Sequence, residues 1–528
     1  MKYQNFLAMT LIVLFTPTAY AATAIPFTVN MSEAVNVTGC PSNCPRIVLD
    51  VGGNTPRYAD YTSGSGTSAL TFTYAAQEGD VDLDGITITS NSIDLNTSGT
   101  IKDLNGNDLS PLTFTIPNTS GVKIDYPSLS MDFENSDYIL SGTHYATLPS
   151  FLSAAGGTFT RASVGTYFDS SGTLQTAAAD IPRFDHDPVT LVPKGILIEE
   201  QRTNLGTYSS QLQISTNLSQ ATIQPDTATA PDGTSSADKM IATASASPHS
   251  FEKFPNYANN STYTQSFYAK AAEYTKIRVL SIGLGNSAGQ DGTYDLATGT
   301  KTAGTGTITA IGNGWYRITE TISTGNPSTS PGIRIYILDS SGATTFTGDG
   351  SSGVYLWGAQ FEIGAFPTSY IPTTTVAVTR AADDLSLGSN TLLKQSAWSA
   401  VAKTYGMPSG SGGAFLGRSS NIGFGALNGQ YGSYRALSSN GITNLAKTVN
   451  STYYGDIAKS SIGVDTAGRS VTANGLVPSS DSVNITAASS SWGRIGSGAG
   501  ISYLNAHMQN LKIYNKRLSD TQLQLLTQ

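Results

Sequence analysis

Apolar and polar residues alternate along most of this chain in short runs, the period of strands that bury one face. Arg46-Ile47-Val48-Leu49-Asp50-Val51 and Leu70-Thr71-Phe72-Thr73-Tyr74 show the pattern early, Tyr263-Thr264-Gln265-Ser266-Phe267-Tyr268-Ala269 and Gly332-Ile333-Arg334-Ile335-Tyr336-Ile337-Leu338 further on. Clusters of Gly, Ser and Asn separate the runs, and strands at such regular spacing predict β-sandwiches. The pattern breaks at both ends. Phe6 to Phe15 is a mostly apolar run. At the other end Ser519 and Gln522 make a capping box, and Leu518 is placed to staple to Leu523, so a short C-terminal helix is predicted. The fold class is therefore all-β: tandem β-sandwiches with a short C-terminal helix.

The early apolar run follows Lys2 and is followed by Pro17 and Ala19-Tyr20-Ala21, the layout of a secretory signal peptide covering residues 1–21, with a mature chain from Ala22. It is shorter than the roughly 20 apolar residues of a membrane-spanning helix, and no later stretch reaches that length. Export without a membrane span is expected. At 528 residues the chain exceeds what one core usually organises. Charged residues make up 12%, the net charge is -8, and no segment supplies a basic stripe, which excludes a phosphate-tracking nucleic-acid binder. Cys40 and Cys44 are the only cysteines. Export favours a small-loop disulfide between them, free thiols being the alternative, and two thiols without nearby histidines make a poor zinc site.

Phrases along the chain carry three resemblances. From residue 22 to 126, Ser32-Glu33-Ala34-Val35, Tyr58-Ala59-Asp60-Tyr61, Gly79-Asp80-Val81-Asp82-Leu83-Asp84-Gly85-Ile86 and Ile101-Lys102-Asp103 resemble the bacterial Ig-like repeats of surface adhesins, which implies a spacer or stalk sandwich. From 127 to 387, Phe159-Thr160-Arg161-Ala162-Ser163, Pro182-Arg183-Phe184-Asp185-His186-Asp187-Pro188, Ile198-Glu199-Glu200-Gln201-Arg202-Thr203-Asn204-Leu205, Gly314-Trp315-Tyr316-Arg317 and Trp357-Gly358-Ala359-Gln360-Phe361-Glu362, then Phe366-Pro367-Thr368-Ser369-Tyr370-Ile371-Pro372, look like a module of phage tail and virion proteins and of bacterial exported proteins. That resemblance implies a jelly roll similar to carbohydrate-binding modules, with an N-terminal hairpin region to about residue 205. From 388 to 528, Ser491-Trp492-Gly493-Arg494-Ile495-Gly496 with Leu504-Asn505-Ala506-His507-Met508 and Leu511-Lys512-Ile513-Tyr514 resembles the last strands of concanavalin A-like, laminin-G-like sandwiches.

Candidate chemistry is sparse. Asp80, Asp82 and Asp84 alternate ahead of Gly85, and with Asp103 from a later loop they are candidate calcium ligands. Asn91 stands where an EF-hand needs its bidentate Glu, so the site would lie between β-turns, and a solvated acidic turn is the competing reading. Gly285-Asn286-Ser287-Ala288-Gly289 matches the nucleophile-elbow string, but a strand and a turn follow it where the elbow needs a helix. The Glu-x-Asp pattern of concanavalin-class glucanases is absent from the third region, whose acids are Asp456, Asp465, Asp481 and Asp520. Asp132 with Glu134, Asp185 with Asp187, and Glu199 with Glu200 read as turn caps or as salt bridges to Arg161, Arg183 or Arg202. His144, His186, His249 and His507 are too dispersed for an obvious metal cluster.

Glycan recognition needs aromatic faces for sugar C–H surfaces beside polar groups for the hydroxyls. Tyr257 with Asn259, and Tyr431 and Tyr434 with Arg435, offer that mixture, each tyrosine also reading as core or turn; Trp315 and Trp357 read as core. The expected function is a secreted or surface-associated, non-catalytic binding protein that recognises carbohydrate in a lectin-like, adhesive manner, with glycan or polysaccharide as partner and no required cofactor besides the candidate calcium. A phage-derived structural or receptor-binding tail-type protein is the alternative, and the signal peptide counts against it. A polysaccharide-degrading enzyme is a second alternative.

Overall fold

The structure is a computed structural model that describes residues 8–10 and 24–528, except 54–55, 215–216, 256, 259, 284–290, 326–331, 388–395, 407, 409–411, 419–422, 430, 438–443, 449–457, 484–491 and 499–501. Among the described residues nearly all regular elements are antiparallel strands and the two helices are short, so the all-β class holds. No helix among the described residues is long and apolar enough to cross a membrane.

The first region is organised by one long strand, Ala24–Thr38, which pairs with Thr67–Ala75 along its first half and with Thr100–Asp103 along its last residues. Its alternation aims Phe27, Val29 and Val35 at Ile47, Leu49, Leu70 and Phe72, and all of these are buried in one core. Ala8–Thr10, within the expected signal peptide, pairs with Thr28–Asn30 at the edge of this sheet. Cys40 and Cys44 form a disulfide across the loop that follows the long strand.

Residues 217–363 form a sandwich of two six-stranded sheets. Phe251, Ile277, Val279 and Ile335 from one sheet meet Phe267, Ile318 and Leu356 from the other in a shared core. Trp315 and Trp357 are buried, as their strand-like phrases predicted.

The third sandwich differs from the expected division at residue 387. Its ten-stranded sheet runs Thr143–Tyr145, Asp137–Leu140, Leu129–Asp132, Ala506–Tyr514, Trp398–Tyr405, Ala458–Val464, Arg469–Ala473, Ser479–Asp481, with Pro193–Ile198 also paired to Ala506–Tyr514. Residues 129–198, assigned from sequence to the central module, thus complete the C-terminal sandwich. The reason is burial: Leu129, Met131, Ile196 and Ile198 form an apolar face with no cover of their own, and they share a core with Trp398, Ala400, Ala402, Leu511 and Ile513. The central sandwich is an insertion in this discontinuous domain. A helix not foreseen from the pattern, Leu148–Ala155, closes one end of the same core with Phe151 and Leu152; Thr147 caps its start and Gly156, in the left-handed region, its end.

A buried charge cluster lies where the chain leaves the host for the insertion and returns to it. Asp383 bridges Arg161 (3.0 Å) and Arg183 (2.6 Å), and Glu199 bridges Arg183 (2.8 Å) and Arg380 (3.5 Å). Burial alone would raise the Glu199 carboxyl, but the charges of Arg380 and Arg183, with the N–H and O–H of Ser369, hold it well below its ordinary range. Arg161, Arg183, Glu199 and Ser369 come from the phrases that carried the central resemblance, so those phrases mark a structural joint. Glu200 pairs with Arg202 beside it (2.6 Å), and the Arg202 guanidinium lies 4.7 Å from the Phe366 ring centre.

The terminal helix, Asp520–Leu526, carries the expected capping box. Leu518 and Leu523 join Val81, Val401 and Tyr514 in a small apolar cluster, and the Gln522 amide donates to the carbonyls of Gly52 (2.6 Å) and Val81 (2.8 Å). The helix therefore locks the first region against the outer face of the ten-stranded sheet.

Candidate ligand-binding groove

Strand alternation gives the ten-stranded sheet two faces of opposite character. Ala400, Ala402, Ile462, Leu511 and Ile513 point inward to the core. The intervening residues point outward, and the register lines up Asp132, Asn510, Lys403 and Lys459 across four neighbouring strands. With Glu134, Val401, Lys512 and Leu526 these residues line an open cleft of about 270 Å³, near the small end of the roughly 300–1,000 Å³ of ligand pockets.

The charges in the cleft are unevenly satisfied. Lys403 pairs with Glu134 at 2.7 Å. Lys512 pairs with Asp125 of the first region, which also accepts from the Tyr514 hydroxyl at 2.6 Å. Asp132 is engaged locally, accepting from the backbone N–H groups of Glu134 and Asn135 and from the Asn135 amide. Lys459 donates to a main-chain oxygen of Gln528. Burial and then the like charges of Lys403 and Lys512 push its ammonium below its ordinary range.

One step further along the same face, Tyr405 stands opposite His507. Their ring centres are 6.0 Å apart at 50°, and the Lys194 ammonium lies 5.7 Å from the Tyr405 ring centre. His507 is held by Asp185, Nε2 to Oδ2 at 2.7 Å, while its Nδ1 is buried and has no hydrogen-bond partner among the described residues. Burial would raise the Asp185 carboxyl, but the His507 hydrogen bond and charge, the Lys194 charge and the Phe168 N–H outweigh it and lower it. Asp185 thus turns away from its sequence neighbour His186, whose Nδ1 lies 3.3 Å from the Phe168 carbonyl.

The residues singled out from sequence lie elsewhere. Asp80 is buried, paired with Arg57 at 3.0 Å and bonded to the Tyr74 hydroxyl. Asp82 is also buried, accepts from the Gly85 N–H at 2.9 Å, and is pushed up to about 6 by burial first and by neighbouring Asp84. Asp103 organises its own turn, accepting from Asn105 and Asn107. The structure brings Asp82 and Asp84 together but not with Asp103, and among the described residues no group of three or more His, Cys, Asp or Glu is placed to hold a metal. Tyr257 is half-buried, its ring 4.6 Å from that of Tyr263 and its hydroxyl donating to Gln265. Asn259 and the string 285–289 lie outside the described residues. Tyr431, Tyr434 and Arg435 lie on the strand Tyr431–Leu437 of the smaller sheet, and their side chains are outside what is described.

No family model matches the chain, and no curated protein matches it. Among solved structures it is similar to the CBM40 module of Ruminococcus gnavus IT-sialidase bound to α2,6-sialyllactose, at 13% identity over 26% of this chain and 86% of that one, with a TM-score of 0.22. It is also similar to domains LG4-5 of the mouse laminin α1 chain, at 11% identity over 52% of this chain and 90% of that one, with a TM-score of 0.17. Scores this low leave the fold to rest on the sheets described above.

Proposed function

We propose that this protein is an exported, lectin-like binding protein without catalytic activity, and that it takes glycan in the groove on the outer face of the ten-stranded sheet. The observation that carries the reading is the open cleft lined by Asp132, Asn510, Lys403 and Lys459, with the Tyr405 ring further along the same strand face. Aromatic faces accept the C–H side of a sugar ring, and amide and ammonium groups hydrogen-bond its hydroxyls. Glycosidic cleavage needs a pair of available carboxylates. Here Glu134 is committed to Lys403 and Asp132 to its own turn, which favours binding over hydrolysis.

Binding of the full chain to a broad glycan array, with and without calcium, tests the reading. Tyr405→Ala and Asn510→Ala should abolish a specific signal while leaving the thermal transition in place. Loss on changing Tyr431 and Tyr434, or Tyr257, with the groove variants still binding, would move the site away from the groove. No binding under either condition, together with release of reducing ends from polysaccharide, would replace the lectin by an enzyme.

A further inference from the structure

The floor of the groove is a single row of polar side chains. Asp132 stands opposite Asn510, Asn510 opposite Lys403, and Lys403 opposite Lys459, so four neighbouring strands each give one residue at the same level. Adjacent strands lie about 4.8 Å apart, which makes the row about 14 Å long and sets it across the strands. That interval is close to the length of one pyranose ring in an extended sugar chain. The next level of the same face, Ser130, Lys512, Val401, Ser461 and Thr472, is buried. Its Ser461 hydroxyl donates to the Leu523 carbonyl of the terminal helix, and Leu526 of that helix lines the cleft, so the helix walls the row on one side.

The chemistry of the row suits hydroxyl groups. Lys403 is paired with Glu134 at 2.7 Å, Lys512 is paired with Asp125, and Lys459 donates to a main-chain oxygen of Gln528. Asp132, Glu134 and Asp125 match the three lysines in number, so the cleft offers no excess side-chain charge to an ion. A lysine ammonium has donors beyond the one it uses in a pair, a carboxylate has about four acceptor sites, and the Asn510 amide supplies both kinds. Sugar hydroxyls donate and accept at once and can bond to such a surface with its pairs intact, whereas a charged ligand must break a pair to gain one.

We infer that the groove takes a neutral, extended glycan lying across the strands, with about one ring to each strand interval and about three rings in the row. Asp132 and Lys459 hold the end rings, and Asn510 and Lys403 the middle one. This rests on the glycan reading above.

Titration of the full chain with neutral oligosaccharides of increasing length tests it. The β-1,4-linked glucose, xylose and mannose series have extended chains; the α-1,4-linked glucose series coils. Affinity for at least one extended series should rise about fivefold with each ring up to the third, roughly the worth of one net hydrogen bond, and stay level beyond it. It should be unchanged between about 50 and about 300 mM salt, because the ligand carries no charge to screen. Lys459→Met removes the last donor of the row and should bring the trisaccharide down to the affinity of the disaccharide, leaving the disaccharide unaffected; Lys459→Gln serves if that variant unfolds. Affinity independent of length, a coiled series that binds as well as the extended ones, an acidic oligogalacturonide that binds more tightly than every neutral chain, or array binding without binding to these series overturns the inference and leaves glycan binding standing. Silence of a folded chain toward every series and toward the array removes the glycan reading itself.

Discussion

Lys253 offers the sharpest quantitative test of how this fold is held together. It shares a strand face with Phe251, points between the two sheets of the inserted sandwich, and is only 3% exposed. Among the described residues its ammonium has no hydrogen-bond partner, and burial pushes it from 10.5 down to about 8. At about 1.36 kcal/mol for each pKa unit, this gap is worth roughly 3 kcal/mol against folding at neutral pH. The sign follows from proton linkage: between about pH 8 and 10.5 the unfolded chain binds the proton that the folded chain has lost, so this residue's penalty falls as pH rises through that window. Lys253→Met keeps most of the side-chain volume and removes the charge. It should raise the Tm of the sandwich by about 6–12 °C at pH 7, taking 2–4 °C per kcal/mol for a domain of this size, and the advantage should fall below about 1 kcal/mol by pH 10. Calorimetry of both chains at pH 7, 8.5 and 10 measures it. An unchanged or lowered Tm at pH 7, or a difference that does not vary with pH, would refute the argument and mean that the ammonium has a partner.

Asp383→Asn takes from buried Arg161 the carboxylate it pairs with and leaves Arg183 with Glu199, and should cost about 3–5 kcal/mol in denaturant unfolding. Asp185→Asn should cost about 1.5–3 kcal/mol at pH 7 by weakening the bond to His507. Because the folded Asp185 pKa is lowered, this contribution is present above about pH 4 and is lost as pH falls through the folded value, so the gap between wild type and variant in urea melts should narrow progressively as pH is lowered below about 4. Gln522→Ala removes both bridges to the first region and half of the capping box; amide exchange across Asp520–Leu526 should speed by about tenfold or more.

Local features of this fold are legible in the sequence, and long-range ones are not. The strands, the buried tryptophans and the terminal cap follow from period and from spacing of a few residues. The salt bridges of Glu199 and Glu200 were visible as residue types beside Arg183 and Arg202. The pairing of Leu129–Asp132 with Ala506–Tyr514 was not, because an apolar strand face states that it needs cover without stating which distant strand provides it. For the same reason the groove escaped notice. Lys403, Lys459, Asn510 and Asp132 are unremarkable one at a time, and only the register sets them in a row. The one available signal was the flanking of His507 by Ala506 and Met508, which turns it outward on its strand.

The discontinuous sandwich also sets an order of events. Ala506–Tyr514 lies near the middle of its sheet, between Leu129–Asp132 and Trp398–Tyr405. Asp125 and Tyr514, which bond across the same joint, are 389 positions apart. A chain emerging from its N-terminal end completes the first region and the inserted sandwich while the host sheet still lacks this strand, because contacts so distant in sequence close late. The groove exists only once that strand is seated, since it contributes Asn510 and Lys512. The groove is thus the last feature the molecule completes, and a chain cut short before Ala506 would keep the first region and the inserted sandwich while lacking that groove.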